Sequence, residues 1–302
     1  MPRKKSKMPK GDLKTLPPAS IPRTPFRVPF RRLLAFGLLL LVTFLAYANT
    51  FHVPFHFDDD PNIVLNPSVH LKSFSLPQLK QLIQINYRDS LRIFAYFTFA
   101  VNYYVGGLEV FGFHLVNFLI HLGSGLLLYG FLLLTLNLPS LRERYGSIAF
   151  PTALFTSLLF LVHPVQTQSV TYIVQRMTSL GGMFYLLGLF LYVKGRLSSG
   201  NRRGLFWTGA GLSYLLGLFT KENVAILPLF VALYEFYFFQ NIDLGSRGRK
   251  ALCYSMGLVL FIGLVMGLVW GKRYIDVIVE GYQMRDFTMG ERVLTQLKSR
   301  NW

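Results

Sequence analysis

Charge is scarce in this chain, and acidic charge is the scarcest. Only 15% of its 302 residues are Asp, Glu, Lys or Arg, against roughly a quarter in soluble domains. The deficit falls in long apolar runs, which places the chain in a bilayer rather than around a large soluble core. Cysteine is nearly absent. Cys253 stands alone, so no intramolecular disulfide can form and the redox compartment stays open. Inside its apolar run it reads as a small hydrophobe. No P-loop, no strand-borne G-x-G-x-x-G and no H-E-x-x-H occurs, which leaves out a nucleotide-driven engine and a zinc protease. No cofactor is evident. The paired halves of many transporters are also missing, as is any repeat of solenoid period.

What charge there is lies on one side of the balance. Lys and Arg number 31 against 14 Asp and Glu, a formal charge of +17. A nucleic-acid footprint would line one face of a folded domain. Here the cations occupy the N-terminal tail and short loops between apolar runs, as a topology signal does. Membrane lipid is therefore the expected partner, and nucleic acid is not.

Residues 1–31 are rich in Lys, Arg and Pro without periodicity, the composition of a disordered tail. They are followed by a transmembrane domain over 32–302. A bilayer core of ~30 Å needs about 20 apolar helical residues, or about 17 at the short end. Stretches near 33–50, 112–136, 148–163, 177–194, 205–220, 223–240 and 251–271 approach that length. The expected fold is thus all-α, a polytopic bundle of about seven spans.

An eighth stretch, 93–105, sets the parity. If it lies at the interface, the basic loops carrying Arg142 and Arg144, then Lys194, Arg196, Arg202 and Arg203, then Arg247, Arg249 and Lys250 all fall on the side of the basic tail. The positive-inside rule favours that arrangement. The N-terminus is then cytoplasmic. Residues 51–111, 164–176, the 220–222 turn and 272–302 are external.

Several polar groups gather in those external segments. Asp58, Asp59 and Asp60 are consecutive. Mutual repulsion near a low-dielectric boundary pushes at least one toward a raised pKa, which suits a general base acting on a hydroxyl. The same oxygens suit a divalent cation, and a solvated acidic turn before Pro61 is the plain structural alternative. Arg88, Asp89 and Arg92 precede 93–105. The arginines fit either a bidentate phosphate contact or headgroup-level anchoring.

His114, Asn117 and His121 share one helix face, either as packing polar groups or as part of a site. A third metal ligand is lacking. His163 precedes the polar strip Gln166, Gln168, Thr171, Gln175 and Arg176, which suits a sugar or a phosphate, or simply a helix connection. Lys221 and Glu222 occupy a very short turn close to hydrocarbon, where charge is costly unless paired or functional.

Taken in order, FHFDDDPNIVLNPSV, FTFAVNYYVGG, FGFHLVNFLIH, HPVQTQSVTYIVQRMTSLGGMFYLLGLFLY and FTKENVAILPLFVALYEF resemble the membrane portion of bacterial proteins related to the transmembrane-and-tetratricopeptide-repeat O-mannosyltransferases. Those are polytopic glycosyltransferases of the GT-C class. The resemblance covers roughly residues 45–295. It implies a polyprenyl-phosphate-linked sugar donor and a protein or glycan acceptor, met on the non-cytoplasmic face of the inner (plasma) membrane. It implies an aspartate of the first external loop as base, which maps onto Asp58 and Asp59, with Asp58 preferred. Arg92, Arg176 and Lys221 become candidate ligands of the donor phosphate, with His163, Glu222 and His114 in support.

The chain departs from that pattern in three places. It reads Arg92-Ile93-Phe94 where relatives have Arg-Pro-Leu, and Gln168 where they have an acid. It stops soon after GERVLTQ, which suggests truncation before further spans and a repeat domain. A non-catalytic membrane scaffold is the alternative function, and a transporter is a third.

Overall fold

The computed structural model describes residues 30–89 (side chains through Asn86) and 92–239, together with Gly257, Thr288, Gly290, Glu291, Leu294 and Thr295. The expected tail 1–31 lies outside them apart from Phe30 and Arg31, which begin the first helix. The 251–271 span, apart from Gly257, and the basic loop at 247–250 also fall outside. Among the described residues the chain is helical, without strands.

The α-helices are α1 (Phe30–Tyr47), α2 (Leu76–Asp89), α3 (Ile93–Gly106), α4 (Val110–Leu136), α5 (Arg142–Tyr145), α6 (Ala149–Val162), α7 (Thr167–Thr171), α8 (Arg176–Arg196), α9 (Gly200–Leu218) and α10 (Leu227–Phe238). Among the described residues four segments are long and apolar enough to cross a membrane: Phe30–Tyr47, Val110–Leu136, Arg142–Val162 and Ile173–Arg196. The protein is an all-α polytopic membrane protein. α10 is shorter than the expected 223–240 span. Its 12 residues cover about 18 Å at the helical rise.

The ends of these helices follow local chemistry. α6 stops at Val162 because Pro164 disfavours helical backbone at His163, which is extended at φ −66°, ψ 130°. α3 ends at Gly107, whose φ of 60° is costly for a side-chain-bearing residue. The Gly107 N–H closes the last turn on the Tyr103 carbonyl at 2.7 Å.

α1 buries Ala35, Leu39, Thr43 and Tyr47, one residue per turn. That stripe packs against α4 and α6. α8 is the hub, packed on α4 and α9. α3 is the element expected to lie at the interface. Its 14 residues span about 21 Å, too short to cross ~30 Å of hydrocarbon. Its N-terminus is tied to the end of α9, where the Phe94 N–H donates to the Phe219 carbonyl at 2.8 Å.

The long 51–111 segment is a packed cap with its own core. Ile63, Val69, Leu82 and Phe99 are buried together with Phe113 of α4, Ile173 just before α8 and Met177 in the first turn of α8. Burial of each such side chain from water contributes about 1.5–3 kcal/mol. This cap holds Asp58 and Asp59 against the α7–α8 junction.

Candidate functional site

The three consecutive aspartates do not act alike. Asp59 is 0% exposed. Its Oδ1 accepts the Val174 backbone N–H at 2.7 Å, and its Oδ2 accepts the His56 N–H at 3.1 Å. Burial pushes its carboxyl above the usual aspartate range. The two backbone hydrogen bonds and the nearby His56 and His114 rings oppose that rise without cancelling it. Asp58 and Asp60 are exposed.

Asp58 is held through its backbone and is exposed, with its side chain close to the Tyr172 hydroxyl. The Asp58 N–H donates to the Tyr172 hydroxyl at 3.0 Å, and the Asp58 carbonyl accepts from Asn62 Nδ2 at 2.7 Å. Asn62 is oriented in turn by the Tyr96 hydroxyl, 2.6 Å from its Oδ1. The Tyr172 ring is stacked on His56, centroids 4.7 Å apart and 23° between planes. Burial and the neighbouring Asp58 and Asp59 carboxylates raise the Tyr172 pKa, so the phenol stays protonated.

Arg92 and Glu222 meet across 130 residues of sequence. Arg92 Nη2 donates to Glu222 Oε1 at 2.7 Å and Nε to Oε2 at 3.2 Å, a bidentate pair. Burial alone would raise the Glu222 carboxyl, but Arg92 and Lys221 bring it below the usual range. Lys221 is half-buried beside them. Burial and the Arg92 charge lower its pKa, against the pull of Glu222. A cleft of about 160 Å³ opens here, lined by Thr178, Gly181, Gly182, Tyr185, Lys221, Asn223 and Val224.

The two clusters both meet the stretch 174–181, which runs from the turn before α8 into that helix. Val174 binds Asp59, Met177 Sδ lies 4.0 Å from Arg92 Nη1, and Gly181 faces Lys221. From Val174 to Gly181 is about 10 Å at the helical rise. Asp59, Arg92 and Lys221 thus each meet the same short stretch, 174–181.

Arg176, in the same stretch, bonds elsewhere. It is 0% exposed, and four of its N–H directions are taken. Nε donates to Asn117 Oδ1 at 2.7 Å, Nη2 to the Phe113 carbonyl at 2.8 Å, and Nη1 to Asn102 Oδ1 at 2.5 Å and the Thr98 carbonyl at 3.3 Å. The guanidinium lies over the Phe99 ring at 4.7 Å. It braces α3, α4 and α8 together from a fully buried position.

His114 is buried on α4, with Nε2 2.9 Å from the Val53 carbonyl and Nδ1 3.3 Å from that of Val170. It clasps the segments that carry Asp58 and Tyr172. His121 Nε2 approaches the Leu161 carbonyl at 2.9 Å, an acceptor left open where α6 ends. His163 is exposed, and its Nδ1 accepts the Val165 N–H at 3.2 Å to cap the turn before α7. Gln168 is exposed nearby. The side chains of Arg88 and Asp89 lie outside the described residues. Among the described residues no group of three or more His, Cys, Asp or Glu is placed to hold a metal ion.

Sequence reasoning missed Asn62, Tyr96, Tyr172 and the second ion pair. The DPN run after the aspartates was the only local signal for Asn62. That second pair joins Arg196 Nη2 to Glu235 Oε1 at 2.6 Å, with the Tyr192 hydroxyl 2.6 Å from Glu235 Oε2. Arg196 is buried. It therefore leaves the set of loop charges used for the parity argument, in which Lys194, Arg202 and Arg203 remain.

These features define a class, a polytopic helical membrane protein with a polar cluster where its capped loop meets the start of α8. No family model matches the chain, and no solved structure matches it. It is 29% identical over 261 residues to Protein O-mannosyl-transferase TMTC4 of Mus musculus, covering 80% of this chain and 33% of the mouse protein. The Homo sapiens TMTC4 is 32% identical over 219 residues, 67% of this chain and 29% of that protein. Protein O-mannosyl-transferase Tmtc3 of Drosophila melanogaster is 29% identical over 249 residues, 73% and 26%. The chain is related to this TMTC family of protein O-mannosyl-transferases. It spans a third or less of the length of these three relatives.

Proposed function

We propose that the chain transfers a sugar from a polyprenyl-phosphate donor to an acceptor hydroxyl at the non-cytoplasmic face of the membrane. The observation that carries this reading is that Asp59, next to the exposed Asp58, and Lys221, which lines a cleft, both meet the stretch 174–181. The names of the relatives, protein O-mannosyl-transferases, make mannose the first sugar to test. The acceptor is a protein or glycan hydroxyl.

Asp58 is the base. The acceptor oxygen forms a bond to the anomeric carbon while the bond from that carbon to the phosphate oxygen breaks. The acceptor proton passes to the Asp58 carboxylate, and polyprenyl phosphate departs. Lys221, with its depressed pKa, holds the phosphate as charge builds on the leaving oxygen. Arg92 adds positive potential while Glu222 fixes its plane. Asp59 acts through the backbone, by fixing the turn that presents Asp58. Arg176, His114 and His163 position the elements around the site. The positive charge of the tail and loops supports a site outside the cytoplasm.

The test is direct. The purified chain in lipid vesicles is given polyprenyl-phosphate [³H]mannose and a hydroxyl-bearing peptide or glycan. Label in the acceptor that depends on Lys221 supports the reading. Transfer untouched by Lys221→Met contradicts the assigned phosphate role.

A further inference from the structure

Among the described residues Phe57 is the only non-glycine with a positive φ, 51°. Left-handed backbone costs a residue with a Cβ about 1–2 kcal/mol. The strained residue is also among the most exposed, at 82%. It is pinned from both sides. The Asp59 N–H donates to the His56 carbonyl at 3.1 Å, the Asp60 N–H to the Phe57 carbonyl at 3.2 Å, and Asp58 N–H to Tyr172. The surroundings thus enforce a conformation that aims an apolar ring outward.

A lipid anchor is the first reading of an exposed Phe in a membrane protein. The neighbours argue against it here. Asp58 and Asp60 are both exposed within three positions of the ring, and ionised carboxylates do not enter hydrocarbon cheaply. The exposed ring therefore fits an aqueous polar surface better than a lipid contact. Its centroid lies 5.6 Å from that of His56 in an edge-on arrangement, and His56 is stacked on Tyr172. The result is an aromatic surface rimmed by a carboxylate, an imidazole and a phenol.

We propose that Phe57 is the platform for the sugar ring, stacking on the apolar face of a hexopyranose beside Asp58. A pyranose has one face of C–H bonds and a rim of hydroxyls. The negative face of an aromatic ring attracts the first, and the polar rim binds the second. This rests on the transferase reading for the role of Asp58, and it adds the group that seats the sugar. The sugar is either the donor's or a glycan acceptor's.

The chain in nanodiscs is titrated with methyl α-D-mannopyranoside by saturation-transfer NMR. Phe57→Trp keeps a ring and binds within about twofold of the native chain. Phe57→Leu keeps apolar bulk without a π face and binds at least about fivefold more weakly. Phe57→Gly relieves the strained φ, so it melts higher or unchanged and still loses binding. Native-like binding by Phe57→Leu or Phe57→Gly overturns the platform, as does absence of binding by the native chain. In transfer assays, a raised KM for polyprenyl-phosphate mannose alone assigns the donor sugar, and a raised KM for a glycan alone assigns the acceptor. Phe57-dependent sugar binding without any transfer keeps the platform and overturns the transferase reading.

Discussion

The Asp59 carboxylate accepts the Val174 N–H at 2.7 Å, joining the first loop to the turn before α8 through a fully buried acid. Asp59→Asn removes one acceptor oxygen and turns an N–H₂ toward a backbone donor. The expected cost is about 1–3 kcal/mol of stability, read as a lower melting temperature in detergent.

That carboxyl also sets a pH dependence. Its folded pKa is raised, so the folded state holds the proton more tightly than the unfolded state. The stabilisation from the protonated form is complete below the unfolded pKa and is lost as pH rises through the folded one. The gap between native and Asp59→Asn melting temperatures should change across that window, native gaining as pH falls. A gap that does not vary with pH contradicts the shift.

The Arg92–Glu222 pair works in the opposite direction. Glu222 is shifted down, so its contribution is present above the unfolded pKa and lost as pH falls through the folded one. Both side chains are partly exposed, 26% and 47%, and the pair stabilises the fold by no more than about 1 kcal/mol. Glu222→Gln should therefore leave the melting temperature within a few degrees while lowering transfer. The double swap Arg92→Glu with Glu222→Arg should recover fold without recovering transfer.

Arg176 separates a brace from a ligand. Arg176→Leu leaves Asn117, Asn102 and two carbonyls without donors. Loss of so many bonds to one buried charge should cost about 3–5 kcal/mol, seen as a melting temperature lowered well beyond that of the Glu222 variant. A normally stable Arg176→Leu protein that fails only in donor binding would restore the phosphate role.

Gly181 governs how closely Lys221 approaches α8. A methyl there would meet Lys221 Cβ at 2.9 Å and Val224 Cγ2 at 3.4 Å. Gly181→Ala should raise the KM for the donor several-fold by displacing Lys221. Gly211→Ala, with nothing within 4 Å, should leave it unchanged. Equal effects of the two would remove the cleft from the account.

Much of the fold was legible because apolar length is a local signal. Val110–Leu136 and Ile173–Arg196 announce themselves by composition, and 93–105 is set apart by being short. The identity of the surface was not local. Arg92 and Glu222, or Arg196 and Glu235, are bonded across 130 and 39 residues, and no spacing rule connects them. Asp58, Asp59 and Asp60 look alike in sequence. One turn of backbone buries the middle carboxylate and exposes its neighbours. Arg176 read as an external cation because a charge beside a polar strip carries no mark of burial. Asn102, Asn117 and the Thr98 and Phe113 carbonyls converge on it only in the fold.

The account turns on Asp58 as the base. The decisive measurement is single-turnover transfer of mannose from polyprenyl-phosphate mannose by the native chain and by Asp58→Asn, in vesicles, with melting temperatures and donor binding measured alongside. The account predicts that Asp58→Asn folds and binds donor as the native chain does, and transfers about 100-fold more slowly or worse. Transfer by Asp58→Asn at the native rate would contradict it.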